Sequence, residues 1–233
     1  MTVDPAIRER AAAVLDRIAR AAARSGRRPG EVRLVAVSKT HTAEAVAAAR
    51  EAGLSVFGEN YVQEAEGKIR VVPGAEWHLI GRLQRNKVAK AVALFPWIQT
   101  VDSAGLLAEI SRRAAAAGRT VDLLAEVNLA GEAGKAGISP DGLPALLDAA
   151  AGLPGIRMRG LMAIPPFSDD AEASRPYFAR LRDLLAQAAR RAPRETEMTE
   201  LSMGMSQDFE AAIEEGATMV RVGTAIFGPR RAR

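Results

Sequence analysis

Cysteine is absent from the 233 residues, so no disulfide framework, thiolate metal site or thiol nucleophile can be built. Aromatic residues supply only 4% of the chain, too few to interleave with basic residues as a nucleic-acid surface requires. No apolar run approaches the ~20 residues of a membrane span. The opening MTVDPAIRER carries charge throughout and lacks the apolar stretch of a signal peptide. A cytoplasmic protein without a membrane partner is therefore expected. Lysine is scarce as well, five of the 32 basic residues, so a lysine that ends an apolar strand is conspicuous.

The formal charge of +4 and the isoelectric point near 9.8 raise the question of a nucleic-acid partner, which the distribution of charge answers. Basic residues are scattered over helical faces (Arg8, Arg10, Arg17, Arg20) and a short tail (Arg230, Arg231, Arg233), and no nucleic acid is expected. The chain is 48% hydrophobic and long enough for a full core. One domain over residues 1–233 is the expectation, although the length would also suit two small domains.

Apolar residues at Ile7, Ala11, Val14, Leu15 and Ile18 have a helical period and predict an N-terminal amphipathic helix over 5–23. After the SGRRPG breaker, RLVAVSK reads as a buried strand over 33–39. Thr42 then caps an alanine-rich helix that Gly53 stops. The same alternation predicts strands at 55–59, 77–81, 97–102, 122–128, 156–164, 200–203 and 219–223. Helices are predicted at 61–70, 84–94, 104–117, 140–151, 172–191 and 207–215. Eight strands alternating with helices, without a linker, indicate a single closed (β/α)8 TIM barrel with an extra N-terminal helix. An open doubly wound sheet is the alternative. Against it, the first strand-to-helix turn, SKTHT, has no glycine fingerprint for a dinucleotide.

Functional groups of such barrels come from the C-terminal ends of strands. Lys39 closes the first strand, and alternation puts Val35, Val37 and Lys39 on the interior face. Partial desolvation there favours the neutral, nucleophilic amine needed for an imine; a lysine that merely snorkels to the barrel mouth is the structural alternative. Barrels of this kind often hold a phosphate at the loops after strands 7 and 8. In SMGMSQDFEAAI, Gly204 permits a turn, Ser206 is a plausible N-cap and Asp208 falls in the first helical turn. In RVGTAIFG, Gly223 allows close backbone approach and Thr224 offers a hydroxyl. Ordinary turn chemistry explains either loop alone, less readily the pair. Arg221 projects inward and needs a partner: Glu59, Glu126 or an acceptor on a ligand ring. Asn60 and His78 end strands 2 and 3, each placed to orient a ligand or to satisfy backbone groups.

With AVSKT, FGENYVQE, WHLIGRLQRNK, MRGLMAIP, LSMGMSQDFEAAI and MVRVGTAIFG in order, the sequence resembles, over nearly its whole length, the YggS/PROSC-type family of pyridoxal 5′-phosphate (PLP) homeostasis proteins. That family is similar to the barrel domain of alanine racemase, the fold-type III PLP barrel. The resemblance implies a Schiff-base lysine at Lys39, a phosphate site at Ser206, Gly223 and Thr224 with Met205 adjacent, and a pyridine-side arginine at Arg221. It implies pocket-lining positions at Asn60, His78, Met162 and Ser202. At His41 some relatives carry a lysine proposed as a secondary contact, so that role is in doubt here; Lys135 matches another such lysine, and a solvated loop lysine is the preferred reading.

The function implied is PLP homeostasis: buffering the cofactor or delivering it to apo-PLP-dependent enzymes, without known turnover, as a cytoplasmic monomer. Racemisation needs a base on each face of the substrate carbon, and fold-type III racemases take the second, a tyrosine, from a β domain. The sequence runs ten residues past Gly223, so that domain is not expected. The two tyrosines, Tyr61 and Tyr177, are placed at a helix start and mid-helix. A PLP-dependent racemase-like enzyme and an aldolase-like barrel that uses Lys39 with a phosphorylated substrate are the alternatives.

Overall fold

The computed structural model describes residues 5–132, 134–191 and 197–229; the tail arginines 230, 231 and 233 lie outside them. Among the described residues eight strands form the centre: β1 (Arg33–Val37), β2 (Val56–Glu59), β3 (Glu76–Leu79), β4 (Trp97–Val101), β5 (Val121–Glu126), β6 (Ile156–Met162), β7 (Glu200–Ser202) and β8 (Met219–Val222). They pair in parallel in sequence order, and β1 closes on β8 with Val35 opposite Arg221. That last pairing excludes the open sheet. The outer layer comprises α1 (Pro5–Arg24), α2 (Ala43–Glu51), α3 (Val62–Val71), α4 (Val88–Leu94), α5 (Ala104–Ala116), α6 (Leu143–Ala150), α7 (Arg175–Arg191), α8 (Phe209–Glu214) and the four-residue α9 (Thr224–Phe227).

Strand alternation sorts side chains into two cores. Val35, Trp97, Leu124, Met162 and Met219 fill the barrel interior, whereas Ala36, Phe57, Leu79, Ile98, Leu123 and Leu161 face the helices. α9 is too short to cover the seam between β8 and β1, and α1 supplies the missing cover by packing against α2, α8 and α9. Ile7, Ala11, Val14 and Ile18 are its buried stripe, the larger side chains contributing roughly 1.5–3 kcal/mol each on full burial. Leu15, which shares the apolar period, is instead 43% exposed, because it lies on the shoulder of that stripe next to Asp16. Arg10 Nε donates to the Ile226 carbonyl at 2.7 Å and so ties α1 to the end of α9.

Every strand except β2, which ends at Glu59 as expected, stops one or two residues short of its expected C-terminal end. Lys39 thus lies in a turn two residues beyond β1, and Asn60 follows β2 directly. The ladder ends because each chain leaves the barrel there to reach its helix. Three expected helices begin as one turn of 3-10 helix, at Arg85–Lys87, Pro140–Gly142 and Ala171–Ser174. Among the described residues no helix is long and apolar enough to cross a membrane.

Candidate functional site

At the C-terminal end of the barrel, the turns after β1, β7 and β8 come together. The backbone at Gly223 runs so close to β1 that a Cβ there would lie 3.1 Å from the Val37 carbonyl oxygen. His41 stacks on Phe227, the last residue of α9, with ring centroids 5.1 Å apart. The Lys39 turn is therefore held against the β8–α9 turn from both sides of the lysine.

The loop after β7 reaches the same point by a route other than the one expected. Ser206 does not cap α8. Its Oγ accepts from the amides of Gly223 (3.3 Å) and Ala225 (3.5 Å) at the start of α9, which commits both lone pairs and leaves the hydroxyl proton to donate outward. Asp208 takes the cap position, and its Oδ1 accepts from the Met205 amide at 2.7 Å. Gly204 makes this compact loop possible: its φ is +88° and a Cβ would lie 2.5 Å from that of Ala212. Ser206, Met205 and Gly223 are half-buried and Thr224 is exposed.

Arg221 lies beneath that rim with only 4% exposure. Neither expected acid pairs with it. Glu59 shares the outward face of β2 with Phe57, and Glu126, inward on β5, acts only through its charge. The guanidinium instead donates through Nη1 to Ser202 Oγ at 2.7 Å and through Nη2 to the Ala163 carbonyl at 2.9 Å. Burial pushes Arg221 down to about 10, against the charges of Glu126 and Asp208, so it remains a cation at neutral pH. Burial likewise pushes the Glu126 carboxyl up to about 7, opposed by Arg221 and Arg82 and reinforced by Asp102.

Ser202 passes its own proton to Gln99 Oε1 at 2.6 Å, and Gln99 Nε2 donates to His78 Nδ1 at 2.7 Å. An amide nitrogen only donates, so His78 Nδ1 accepts, and Nε2–H donates to Glu76 Oε1 at 2.7 Å. The ring is fully buried and stacked on Trp97 at 5.2 Å, and burial holds it below the usual histidine range. A buried relay therefore crosses the barrel from Glu76 at the start of β3 to Arg221 under the mouth. His78 lies inside β3 rather than at its end, a correction to its expected placement. His78, Ser202 and Met162 are each fully buried, inside the barrel rather than at its rim.

Gln99 was not expected. It lies where β4 shifts register between Ile98 and Val101, an irregularity that lets Gln99 and Thr100 both be buried and hydrogen-bonded. Two adjacent polar residues in the wholly buried strand WIQTV were the available signal. Lys135, in the loop after β5, is exposed and paired with Glu132 at 2.6 Å. A cavity of about 790 Å³ lies outside the barrel, between α6, α7 and the N-terminal half of β6. It faces the opposite end from Lys39, and its Arg159 and Arg191 are paired with Glu197 and Asp148. Among the described residues no group of three or more His, Asp or Glu is placed to hold a metal ion.

The family model for the alanine racemase N-terminal domain matches residues 11–231. A pyridoxal phosphate homeostasis protein of Pseudomonas aeruginosa is 45% identical over 226 residues, 96% of each chain. Its counterpart in Aquifex aeolicus is 42% identical, covering 96% of this chain and 98% of the relative. PipY of Synechococcus elongatus, solved with PLP bound, has a TM-score of 0.83 at 42% identity over 95% of this chain and 100% of its own. D-threonine aldolase from Filomicrobium marinum, 21% identical with a TM-score of 0.70, shares the fold. The chain belongs to the family of pyridoxal phosphate homeostasis proteins, built on the alanine racemase N-terminal domain.

Proposed function

We propose that the protein, acting as one domain, binds PLP at the barrel mouth through Lys39 and serves intracellular PLP homeostasis by buffering or delivering the cofactor. The observation that carries the reading is the convergence of the Lys39 turn, the Ser206-anchored start of α9 and the buried Arg221 at one end of the barrel. PLP, when bound, supplies an aldehyde that condenses with a lysine amine, releasing one water, and a ring whose visible absorbance reports the linkage. Ser206 and Thr224 hydroxyls and the amides that open α9 suit the phosphate. Asn60 and Met205 flank the rim, with Met162, His78 and Ser202 beneath it.

Arg221 faces the ring nitrogen in this reading. A guanidinium there donates and does not release its proton, which leaves that nitrogen unprotonated and the ring a poor electron sink. Tyr61 is 57% exposed at the start of α3, Tyr177 is the third residue of α7 rather than mid-helix, and His78 is buried and neutral. None of them is placed as a second base. These features support a non-catalytic carrier over a racemase-like enzyme. The carrier is proposed to be a cytoplasmic monomer with apo-PLP-dependent enzymes as recipients.

Borohydride reduction of the PLP-loaded protein, followed by peptide mapping, tests the assignment. The label is expected on Lys39 and lost in Lys39→Ala. A label on Lys68, Lys87, Lys90 or Lys135 would overturn it.

A further inference from the structure

The two residues that flank Lys39 are pinned by side chains that no role described above uses. Thr40 has a φ of +69°, the one non-glycine positive φ among the described residues, a region that a β-branched residue occupies only when its surroundings impose it. Its Oγ1 is buried without a hydrogen-bond partner. Its amide donates to Glu64 Oε1 at 2.6 Å. That same oxygen accepts from Lys68 Nζ at 2.7 Å. Lys68 spends its other two protons on Glu59 Oε1 and on the Ser38 carbonyl, both at 2.6 Å, and the Ser38 hydroxyl donates to Glu59 Oε1 at 2.6 Å.

Lys68 is 5% exposed and Glu59 not at all, so this is a buried ion pair, with the half-buried Glu64 completing the cluster at its edge. Glu59 Oε2 lacks a partner, and burial pushes the Glu59 carboxyl up against the pull of Lys68. Apolar side chains of similar volume often stabilise such a location more than charges do. A strained backbone, an unpaired carboxylate oxygen and an unpaired hydroxyl are thus concentrated around one turn, which is the pattern of a site selected for position rather than stability.

We propose that Lys68, with Glu59 and Glu64, is a positioning cluster that fixes the 38–40 turn so that the Lys39 amine meets the aldehyde of a ligand whose phosphate is already held at α9. The inference rests on the assignment of Lys39 as the linking residue. The ligand is rigid between its two ends, so the turn and the phosphate loop must be held at a set separation. A displacement of 1 Å costs such a reaction up to about 100-fold in rate.

The test compares wild type, Lys39→Ala, Lys68→Met, Glu64→Leu and the double variant Glu64→Leu/Thr40→Gly, all stripped of cofactor. Imine formation with PLP is followed by stopped-flow absorbance, and affinity for pyridoxamine 5′-phosphate, which has no aldehyde, by calorimetry. Lys68→Met and Glu64→Leu, which removes the acceptor of the Thr40 amide, are expected to slow imine formation by about ten-fold or more with pyridoxamine phosphate affinity unchanged. Thr40→Gly is expected to restore most of the rate in the Glu64→Leu background, since glycine keeps the left-handed turn without the clamp. If Lys68→Met does not fold, Glu64→Leu, which leaves the Lys68–Glu59 pair in place, carries the test. Wild-type imine rates in the cluster variants, or equal loss of both ligands, would overturn the positioning role alone. A full imine signal in Lys39→Ala would overturn the assignment of Lys39, and the cluster's role with it.

Discussion

Replacing Gln99 by leucine cuts the buried relay at its centre. The side chain joins the Ser202 hydroxyl (2.6 Å) to His78 Nδ1 (2.7 Å), and all three residues have no exposed surface. In Gln99→Leu the Ser202 proton loses its acceptor and His78 Nδ1 its donor, with no water able to take over without a cavity being opened. Each buried orphan costs about 1–3 kcal/mol, so the variant should lose roughly 2–6 kcal/mol. For a chain of this size each kcal/mol shifts the midpoint by about 2–4 °C, and a fall on the order of 10 °C is expected. Thermal unfolding should be followed on cofactor-free protein, because a ligand that binds only the folded state would mask the loss. Ser202→Ala alone should also destabilise, since it removes an acceptor from the buried Arg221. The double variant should lose less than the two single losses together by about 1–3 kcal/mol. A Gln99→Leu midpoint within a degree of wild type, or strict additivity with Ser202→Ala, would refute a continuous relay.

Ser206→Ala combined with Thr224→Val should weaken PLP far more than pyridoxal, each lost charge-assisted hydrogen bond costing about 1.5–3 kcal/mol; equal losses in titrations of the two ligands would show that these loops hold no phosphate. Glu126 has its carboxyl pushed up to about 7 by burial, so its ionisation opposes folding: the penalty is absent below the unfolded value near 4.5, grows as pH rises to about 7 and is constant above. Glu126→Gln should therefore be the more stable protein at pH 8.5, by an amount on the order of 2–3 kcal/mol in denaturant titrations, and equal to wild type at pH 4; a gap of the same size at both pH values would rule out the carboxyl as its source. The PLP-loaded protein should exchange amino-acid α-protons into deuterated water at background rates yet reactivate an apo-PLP enzyme. Robust Lys39-dependent exchange would favour a racemase-like enzyme, and reactivation no faster than with free PLP would leave buffering as the role.

The alternation of buried strands and amphipathic helices was enough to read the barrel, because a (β/α)8 fold repeats one pattern whose apolar periods differ between its elements. Parity along RLVAVSK correctly separated Val35, in the inner core, from Ala36, against the helices. Strand ends were less legible. Lys39, Gly81 and Asn128 continue the local pattern, but a strand ends where its neighbour's backbone turns away, which its own sequence does not record. α9 was missed because four residues between two glycines carry no measurable helical period, and without it Ser206 was assigned to the nearer helix. Leu15 shares the apolar period of α1, and its exposure was settled only by how far the cover of α8 and α9 reaches round that helix.

The polar interior was the least legible part for a reason specific to closed barrels. Gln99 and Ser202 are 103 positions apart, Arg221 and Ala163 58, and the barrel brings them within hydrogen-bonding distance across its lumen. Each residue's local context reports only that it is a polar group in an apolar strand. A buried polar group must find a partner, so finding several on inward faces implies that they satisfy one another, but which pairs form depends on the stagger of all eight strands. Lys68 and Glu64 show the complementary case. Their four-residue spacing on α3 reads as an ordinary surface ion pair, worth little in stability. It becomes consequential only because α3 packs against the end of β2, where Glu59 and the turn after β1 meet it. The residues proposed to carry the ligand chemistry were therefore visible in their motifs, and those proposed to hold them in position became visible only when distant strands were brought together.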